Sequence, residues 1–264
     1  MSQTKITRRK LLKMGMLSVC GTMIPLGALE IFKPEALASS LIHPYSKKKR
    51  WAFVVDTTKC VGCGMCIKAC KLENEIPFEA EVQRTWVERY VLTKKGEVII
   101  DSPNGARYGF TKNDPQGHEL KDDEVAKGIF VPKLCNHCEA PSCVQVCPVG
   151  ATYKTDDGVV LVDRTWCIGC GYCITNCPYF ARFFHPVYNT AEKCTFCYHR
   201  ISKGLKSACV DACSFGVRKI GLLNDPDSEV FKIITTQRTA VLKPEFGNMP
   251  HVFYSSLDHN SEVI

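Results

Sequence analysis

The chain has 264 residues, enough for one or two domains, and its 45% hydrophobic content is ordinary for a packed core. Its formal net charge of +7 lies mostly near the N-terminus, because the chain without residues 1–38 and 47–50 is close to neutral. This distribution argues against a nucleic-acid-binding surface. The sequence also lacks a phosphate-binding glycine-rich loop, a nucleophile elbow and a dinucleotide fingerprint, which argues against several common classes of enzyme.

Residues 1–38 are predicted to be a twin-arginine signal peptide. Thr7–Lys13 (TRRKLLK) resembles the twin-arginine motif, Met14–Leu29 is moderately apolar, and Ala36–Ala38 fits an A-x-A cleavage site. The apolar stretch is interrupted by glycine and proline and is shorter than the roughly 20 residues that span a bilayer, which favours cleavage over retention as an anchor. We expect export to the periplasm, loss of Cys20 with the signal peptide, and a basic linker over residues 39–50.

Four cysteine blocks dominate the rest of the chain and contain sixteen of its seventeen cysteines. Blocks one and three have the C-x2-C-x2-C-x3-C spacing of bacterial ferredoxins, in which the fourth cysteine ligates the neighbouring cluster. Each 4Fe-4S cluster needs four thiolates, so the sixteen cysteines predict four such clusters and electron transfer as the function. The blocks in order are Cys60, Cys63, Cys66 and Cys70; Cys135, Cys138, Cys143 and Cys147; Cys167, Cys170, Cys173 and Cys177; and Cys194, Cys197, Cys209 and Cys213.

The blocks form an internal repeat. Residues 55–70 align without gaps on residues 162–177, with ten of sixteen positions identical, so blocks one and three are copies of one unit. Blocks two and four resemble each other as a second type. Because the last cysteine of a ferredoxin block serves the other cluster, the blocks must work in pairs. Spacing alone permits one with two and three with four, or one with four and two with three.

Residues 51–134 are predicted to contain block one and an insertion. The apolar run Trp51–Val55 predicts a short strand before the first cysteine. Thr85–Leu92 and Val98–Ile100, joined by a glycine turn, predict a β-hairpin that is followed by a polar surface loop. A further apolar run, Gly128–Val131, predicts a strand that leads into block two.

Residues 135–180 resemble one bacterial two-cluster ferredoxin through the run Cys147–Ala151 (CPVGA), the turn at Asp156–Gly158 and a predicted strand at Val159–Val162 before Cys167. Blocks two and three are therefore predicted to form one contiguous ferredoxin-like module. Block four lies in residues 181–216 and has a longer loop between its second and third cysteines. The tail, residues 217–264, has no ligand pattern, and its apolar run Val230–Ile234 is typical of a strand. We expect the tail to pack on the cluster region or on a partner.

Two other uses of cysteine are less consistent with this spacing. Structural zinc usually takes separated C-x2-C pairs, whereas a triple at two-residue gaps supplies one ligand more than usual. Disulfides occur in exported proteins, but neighbours at C-x2-C spacing bridge with strain. His137 is expected to lie outside the ligand set, behind the cysteines or on the surface. We expect four apolar neighbours of the cysteines to shield sulfur from water: Trp166, Ile168, Tyr172 and Phe196.

The chain resembles the electron-transfer subunits of membrane-associated molybdopterin oxidoreductases. The features that carry the resemblance are the four-block order, the leader, the long insertion after block one, the segment Lys193–Cys197 (KCTFC) and the tail from Leu242 to Tyr254. Polysulfide, thiosulfate, tetrathionate and dimethyl sulfoxide reductases and formate dehydrogenases have such subunits, as do some hydrogenases and multihaem-cytochrome complexes. The resemblance covers most of residues 51–215.

The resemblance implies an α+β fold of two ferredoxin-like 4Fe-4S bicluster modules, rich in loops, with a β-hairpin insertion. It also implies nested pairing, with block two beside three and block one beside four. The implied ligand sets are Cys60, Cys63, Cys66 and Cys213 for cluster one; Cys70, Cys194, Cys197 and Cys209 for cluster two; Cys135, Cys138, Cys143 and Cys177 for cluster three; and Cys147, Cys167, Cys170 and Cys173 for cluster four.

The same resemblance implies the partners. The protein is expected to have no catalytic residues of its own and to pass electrons between a catalytic subunit of molybdopterin type and a polytopic membrane subunit of polysulfide-reductase type that exchanges electrons with quinone. It would then be periplasmic and peripheral to the membrane through that partner. The alternatives are a freestanding periplasmic ferredoxin-like carrier and the iron-sulfur subunit of a hydrogenase or multihaem-cytochrome complex.

Overall fold

The computed structural model describes residues 49–110, 121 and 123–257. The predicted signal peptide, residues 39–48 of the linker and most of the polar loop after the hairpin lie outside the described residues. The strands are β1 (Trp51–Asp56), β2 (Thr85–Thr93), β3 (Val98–Asp101), β4 (Val125–Leu134), β5 (Thr152–Lys154), β6 (Val160–Val162), β7 (Arg182–Phe184), β8 (Ala191–Lys193), β9 (Arg218–Leu222), β10 (Thr239–Ala240) and β11 (Val252–Ser255). The α-helices are α1 (Met65–Glu73), α2 (Ser142–Gln145), α3 (Tyr172–Thr175), α4 (Tyr198–Ile201), α5 (Ala208–Asp211) and α6 (Glu229–Thr236), and 3₁₀ turns cover Thr57–Lys59, Pro103–Ala106 and Pro244–Phe246.

The largest sheet joins the start of the described chain to its end. Its strand order is β10-β11-β1-β9, with β11 parallel and β9 antiparallel to β1. In β1, Phe53 and Val55 point into the main core while Ala52 and Val54 face a smaller cluster on the other side. Both faces of this strand are therefore covered, which is why its sequence is a continuous apolar run. The pairing places block one, after β1, beside block four, before β9.

Helix α6 covers the second face of that sheet. Val230, Ile233 and Ile234 pack against Ala52 and Val54. The predicted strand over Val230–Ile234 is wrong: three of its apolar residues recur at helical spacing, so a single helical face can bury them. The C-terminal segment packs within the chain, because β11 pairs with β1 and Tyr254 Oη donates to Pro132 O at 3.2 Å.

The insertion forms a second sheet with strand order β3-β2-β4. The predicted hairpin is present as β2 and β3, and the predicted strand before block two lies within β4. Strands β2 and β4 pair antiparallel from Thr85 opposite Leu134 to Thr93 opposite Val125, with a bulge after Leu92. Since β4 ends at Leu134, this sheet delivers the chain directly to Cys135.

Two short hairpins follow the cysteine blocks of the second half of the chain. Strands β5 and β6 pair after block two, and β7 and β8 pair between blocks three and four. Within the described residues, none of the helices has the length and apolarity needed to cross a bilayer. Most of the cysteine-bearing segments are loops and one-turn helices, held in place by these small sheets.

Candidate iron-sulfur centres

Helix packing pairs the cysteine blocks. Helix α1, which carries Cys66 and Cys70, packs against α5, which carries Cys209. Helix α2 with Cys143 packs against α3 with Cys173. The structure thus places block one beside block four, here called the first half, and block two beside block three, here called the second half.

Three cavities are each lined by four cysteines. In each, three cysteines come from one block and the fourth comes from the other block of the same half. The sets are Cys60, Cys63, Cys66 and Cys213 in cavity one; Cys70, Cys194, Cys197 and Cys209 in cavity two; and Cys135, Cys138, Cys143 and Cys177 in cavity three.

The remaining cysteines, Cys147, Cys167, Cys170 and Cys173, form the fourth set of the predicted assignment. Two of their sulfurs accept backbone N–H groups: Thr152 N lies 3.4 Å from Cys147 Sγ, and Ala191 N lies 3.4 Å from Cys167 Sγ. In cavity two, Phe196 N donates to Cys194 Sγ at 3.4 Å in the same way. Such N–H···S contacts are the hydrogen bonds that tune and orient iron-sulfur ligands.

Glycines shape the cysteine loop of block one. Gly62 and Gly64 both have positive φ, and their counterparts in the repeat, Gly169 and Gly171, have nearly the same values. A Cβ atom on Gly64 would lie 2.3 Å from Ala106 O, and one on Gly62 would lie 2.7 Å from the Phe130 ring. The insertion therefore packs closely over the first cysteine loop, and only glycine fits there.

The cysteine cavities suit a cationic centre. Burial raises the pKa of the Cys60 and Cys209 thiols to about 11. Burial also raises the pKa of Cys70, and the neighbouring thiols of Cys194 and Cys209 raise it further. The four buried thiols that line cavity two do not ionise together unless positive charge lies between them, and metal ligation supplies that charge. The all-thiol donor set of each cavity fits a 4Fe-4S cluster.

Aromatic rings connect cavities two and three. Phe53 and Phe196 line cavity two, and His137 lines cavity three. Phe196 stacks between the other two rings, with centroid distances of 5.6 Å to Phe53 and 3.7 Å to His137. Cys135 also raises the pKa of Cys194 after the larger effect of burial, so these two thiols are close across the boundary between the halves.

A buried lysine lies at the same boundary. Lys193 Nζ donates to Val160 O and, at 2.7 Å, to Cys194 O. Burial lowers the pKa of Lys193, while the thiols of Cys135 and Cys194 oppose that effect. The polar contacts of this side chain therefore tie block four to strand β6 of the second half.

The structure distinguishes between the two places predicted for His137. This residue is fully buried, which agrees with a place behind the cysteines and not on the surface, and its Nδ1 accepts from Val160 N at 3.0 Å. Phe196 shields cavity two as expected. Trp166, Ile168 and Tyr172 are 67%, 64% and 60% exposed, so most of each side chain faces solvent. Sequence adjacency to a cysteine did not show which side of the loop faces solvent.

Exposure differs along the cysteine sets. Cys63 of cavity one and Cys170 of the fourth set are exposed, whereas all four cysteines of cavity two are buried. Apolar side chains surround both exposed cysteines. Near Cys63 they are Val61 and Met65, which line cavity one, and near Cys170 in the sequence they are Trp166, Ile168 and Tyr172.

Comparison with known proteins agrees with this geometry. Residues 59–151 and 126–223 match models of the 4Fe-4S dicluster domain. The chain is 38% identical over 254 residues to a tetrathionate reductase subunit of Salmonella typhimurium, covering 95% of this chain and 88% of the relative. It is 44% identical over 208 residues to a tetrathionate reductase subunit of Archaeoglobus fulgidus (79% and 83%), and 37% identical over 238 residues to a selenate reductase subunit of Mesobacillus selenatarsenatis (78% and 71%).

Two dicluster domains define an α+β iron-sulfur protein with four 4Fe-4S clusters. Within that class, the chain belongs to the family of iron-sulfur electron-transfer subunits of molybdopterin oxidoreductases.

Proposed function

We propose that the sixteen cysteines hold the four clusters in the three sets that line the cavities and in the fourth set, and that the clusters form one line for electrons. The observation that supports this proposal is that each of three cavities is lined by four cysteines, and that each cysteine set is in contact with the next. Clusters bound there supply one-electron carriers. The protein's own contribution is to fix their order, exclude water from the inner ones and expose the outer ones.

The order of the line follows from contacts between cysteine sets. Cavity one adjoins cavity two, since Cys66 raises the pKa of Cys209 in addition to the effect of burial. Cavity two adjoins cavity three through Cys194 and Cys135. Cavity three adjoins the fourth set through the packing of α2 on α3. The line therefore runs from the end near Cys63 to the end near Cys170.

The two ends have the character of docking surfaces. Exposed aromatic and large aliphatic side chains are enriched at protein interfaces, and here they lie beside the exposed cysteines at both ends. One end would receive electrons from one partner and the other end would deliver them to a second partner. We propose a molybdopterin-type catalytic subunit and a quinone-linked membrane subunit of polysulfide-reductase type as these partners.

Export to the periplasm by the twin-arginine route is part of the same proposal. It rests on the leader sequence, which lies outside the described residues. Changing Arg8 and Arg9 together to Lys and then separating the periplasm from the cytoplasm tests it. We expect the variant chain to accumulate in the cytoplasm with its clusters, whereas an unchanged periplasmic yield would refute twin-arginine export.

Purification of the tagged chain from its native host tests the partner assignment. We expect a complex that contains a molybdopterin subunit and a membrane subunit and that oxidises or reduces a quinone analogue. A chain that is isolated alone and only exchanges electrons in solution would instead support the freestanding carrier, and co-purification with a multihaem cytochrome or a hydrogenase would identify the other alternative.

Charged substitutions at the two ends sharpen the test. Ile168→Asp and Val61→Asp should each release one partner and retain the other, without loss of iron, because a charge in an apolar interface is costly to bury. Val98→Asp, at a half-exposed position in the insertion, is the matched control and should retain both partners. Retention of both partners by both end variants would contradict docking at these surfaces.

A further inference from the structure

Two buried arginines lie at equivalent places in the two halves. Arg182 is 5% exposed and Arg218 is 2% exposed. Arg182 begins β7 five residues after Cys177, and Arg218 begins β9 five residues after Cys213. Cys177 is the last cysteine of block three, and Cys213 is the last cysteine of block four. The two arginines therefore follow the later block of each half at the same distance.

Arg218 lies between cavities one and two. Its side chain lines cavity one, and its Nη2 donates at 2.9 Å to Thr85 Oγ1, a residue that lines cavity two. Burial alone would lower its pKa, but the thiols of Cys66, Cys209 and Cys60 raise it. Those thiols belong to both cavities, so the guanidinium faces the two sets at once.

Arg182 has the corresponding position between cavity three and the fourth set. It lines cavity three, and its Nη2 donates to Cys143 Sγ at 3.1 Å. Its Nη1 donates at 3.3 Å to Thr152 Oγ1, and Thr152 N donates to Cys147 Sγ of the fourth set. Burial opposes its charge, and the thiols of Cys143, Cys135 and Cys173 favour it. Those thiols again belong to two sets.

Among the residues that the structure describes, the guanidinium groups of Arg182 and Arg218 differ from that of another buried arginine in having no carboxylate in an ion pair. Arg84, another buried arginine, forms an ion pair with Glu192 at 3.1 Å. Within residues 49–110 and 123–257, the structure gives no such carboxylate partner to Arg182 or Arg218. A buried cation without an anionic partner is strongly unfavourable, so both sites require negative charge from the cysteine sets. A cluster with four thiolate ligands is an anion, and one-electron reduction makes it more negative.

We propose that Arg182 and Arg218 are positioning residues for electron transfer, each placing one positive charge between the two clusters of its half and thereby favouring the reduced form of both. The inference rests on the ligand sets proposed above. The positive charge of each arginine acts on the two clusters of its own half, so each arginine raises the reduction potential of two clusters and not of all four. The charge is fixed because guanidinium does not deprotonate in proteins.

Redox titration of the purified, cluster-loaded protein, followed by electron paramagnetic resonance, tests this inference. Arg218→Gln should shift two of the four one-electron transitions to lower potential. The ratio of reduced to oxidised cluster at fixed potential should fall at least about tenfold, equal to a shift of about 59 mV for a one-electron couple. Arg182→Gln should shift the other two. Arg218→Lys and Arg182→Lys retain the positive charge, so their transitions should lie close to the wild-type potentials.

A matched control removes a charge elsewhere. Arg89 lies in β2 and pairs with Asp101, and Arg89→Gln should leave all four transitions in place. Unchanged potentials in both glutamine variants at full iron content would overturn the inference. It would also be overturned by equal shifts of all four transitions, or by lysine variants that behave like the glutamine variants.

The iron content of each variant shows whether that variant has failed to fold and bind its clusters. If a glutamine variant loses iron, the matching lysine variant at full iron content and wild-type potentials supports a role for charge, and the other arginine supplies an independent test. Loss of iron in all four variants would assign the arginines to assembly and overturn the inference. Iron content and signal number of the unsubstituted protein report separately on the proposed ligand sets.

Discussion

His137 and Phe196 stack with their ring centroids 3.7 Å apart, and the contact joins one half of the protein to the other. His137 lies between Cys135 and Cys138 in the sequence, and Phe196 lies between Cys194 and Cys197. Both rings are fully or almost fully buried. The stack is therefore part of the packing that fixes cavity two beside cavity three.

Removal of the Phe196 ring should destabilise this contact. Phe196→Ala should lower the free energy of unfolding by about 3–5 kcal/mol, since it leaves a cavity between the two halves. The midpoint of guanidinium-induced unfolding of the cluster-loaded protein measures the effect. Phe180→Ala is the control, because Phe180 is 80% exposed, and its change should stay within about 0.5 kcal/mol. Similar losses in both variants would contradict a structural role for the stack.

The repeat offers a second matched pair of substitutions. Gly64→Ala and Gly171→Ala both force a side chain into left-handed backbone, at a cost of roughly 1–2 kcal/mol. The new Cβ would lie 2.3 Å from backbone Ala106 O in the first case and 3.1 Å from the movable Phe184 side chain in the second. Thermal unfolding of the loaded protein should therefore show a larger loss for Gly64→Ala. Equal losses would mean that the insertion does not press on the first cysteine loop.

His251 should make stability depend on pH. Burial lowers its pKa from an ordinary 6.5 to about 4, although Glu139 nearby favours the charged form. Above pH 6.5 the ring is neutral in both the folded and unfolded chain, and as pH falls towards 4 only the unfolded chain gains a proton. Stability from this group is thus present above pH 6.5 and is lost by about 3 kcal/mol as pH falls through the window.

Denaturant midpoints of wild type and His251→Gln, measured at several pH values in that window, check this prediction. The wild-type midpoint should fall more steeply towards acid than that of the variant. Parallel curves would show that His251 does not titrate with the lowered pKa.

The sequence was sufficient for elements with a direct physical signature. Strand β1 was predictable because its continuous apolar run is buried on both faces, and the hairpin β2–β3 because its apolar runs flank a glycine turn. Helix α6 was not predictable, because a five-residue apolar run also fits a strand. Only its packing on Ala52 and Val54 shows that the apolar residues repeat with helical periodicity. The pairing of β4 with β2 is likewise a long-range contact without a local signal.

The candidate site also has some features that the sequence predicts and others that it does not. Cysteine spacing specifies cluster type and number, but which blocks meet depends on the sheet that pairs β1 with β9. Arg182 and Arg218 were missed although a signal exists, since both follow the last cysteine of a block at the same five-residue distance. The 67% exposure of Trp166 was not predicted, because adjacency to a cysteine in the sequence does not show which side of the loop faces solvent.

The pairing of cysteine blocks is the central claim, and Cys70→Ser tests it most directly when compared with two reference variants. Cys197→Ser alters a cysteine of cavity two, and Cys138→Ser alters one of cavity three. Electron paramagnetic resonance of the reduced proteins should show that Cys70→Ser perturbs the same cluster signal as Cys197→Ser and leaves the signal affected by Cys138→Ser intact. If Cys70→Ser instead perturbs the Cys138→Ser signal, block one pairs with block two and the nested arrangement is wrong.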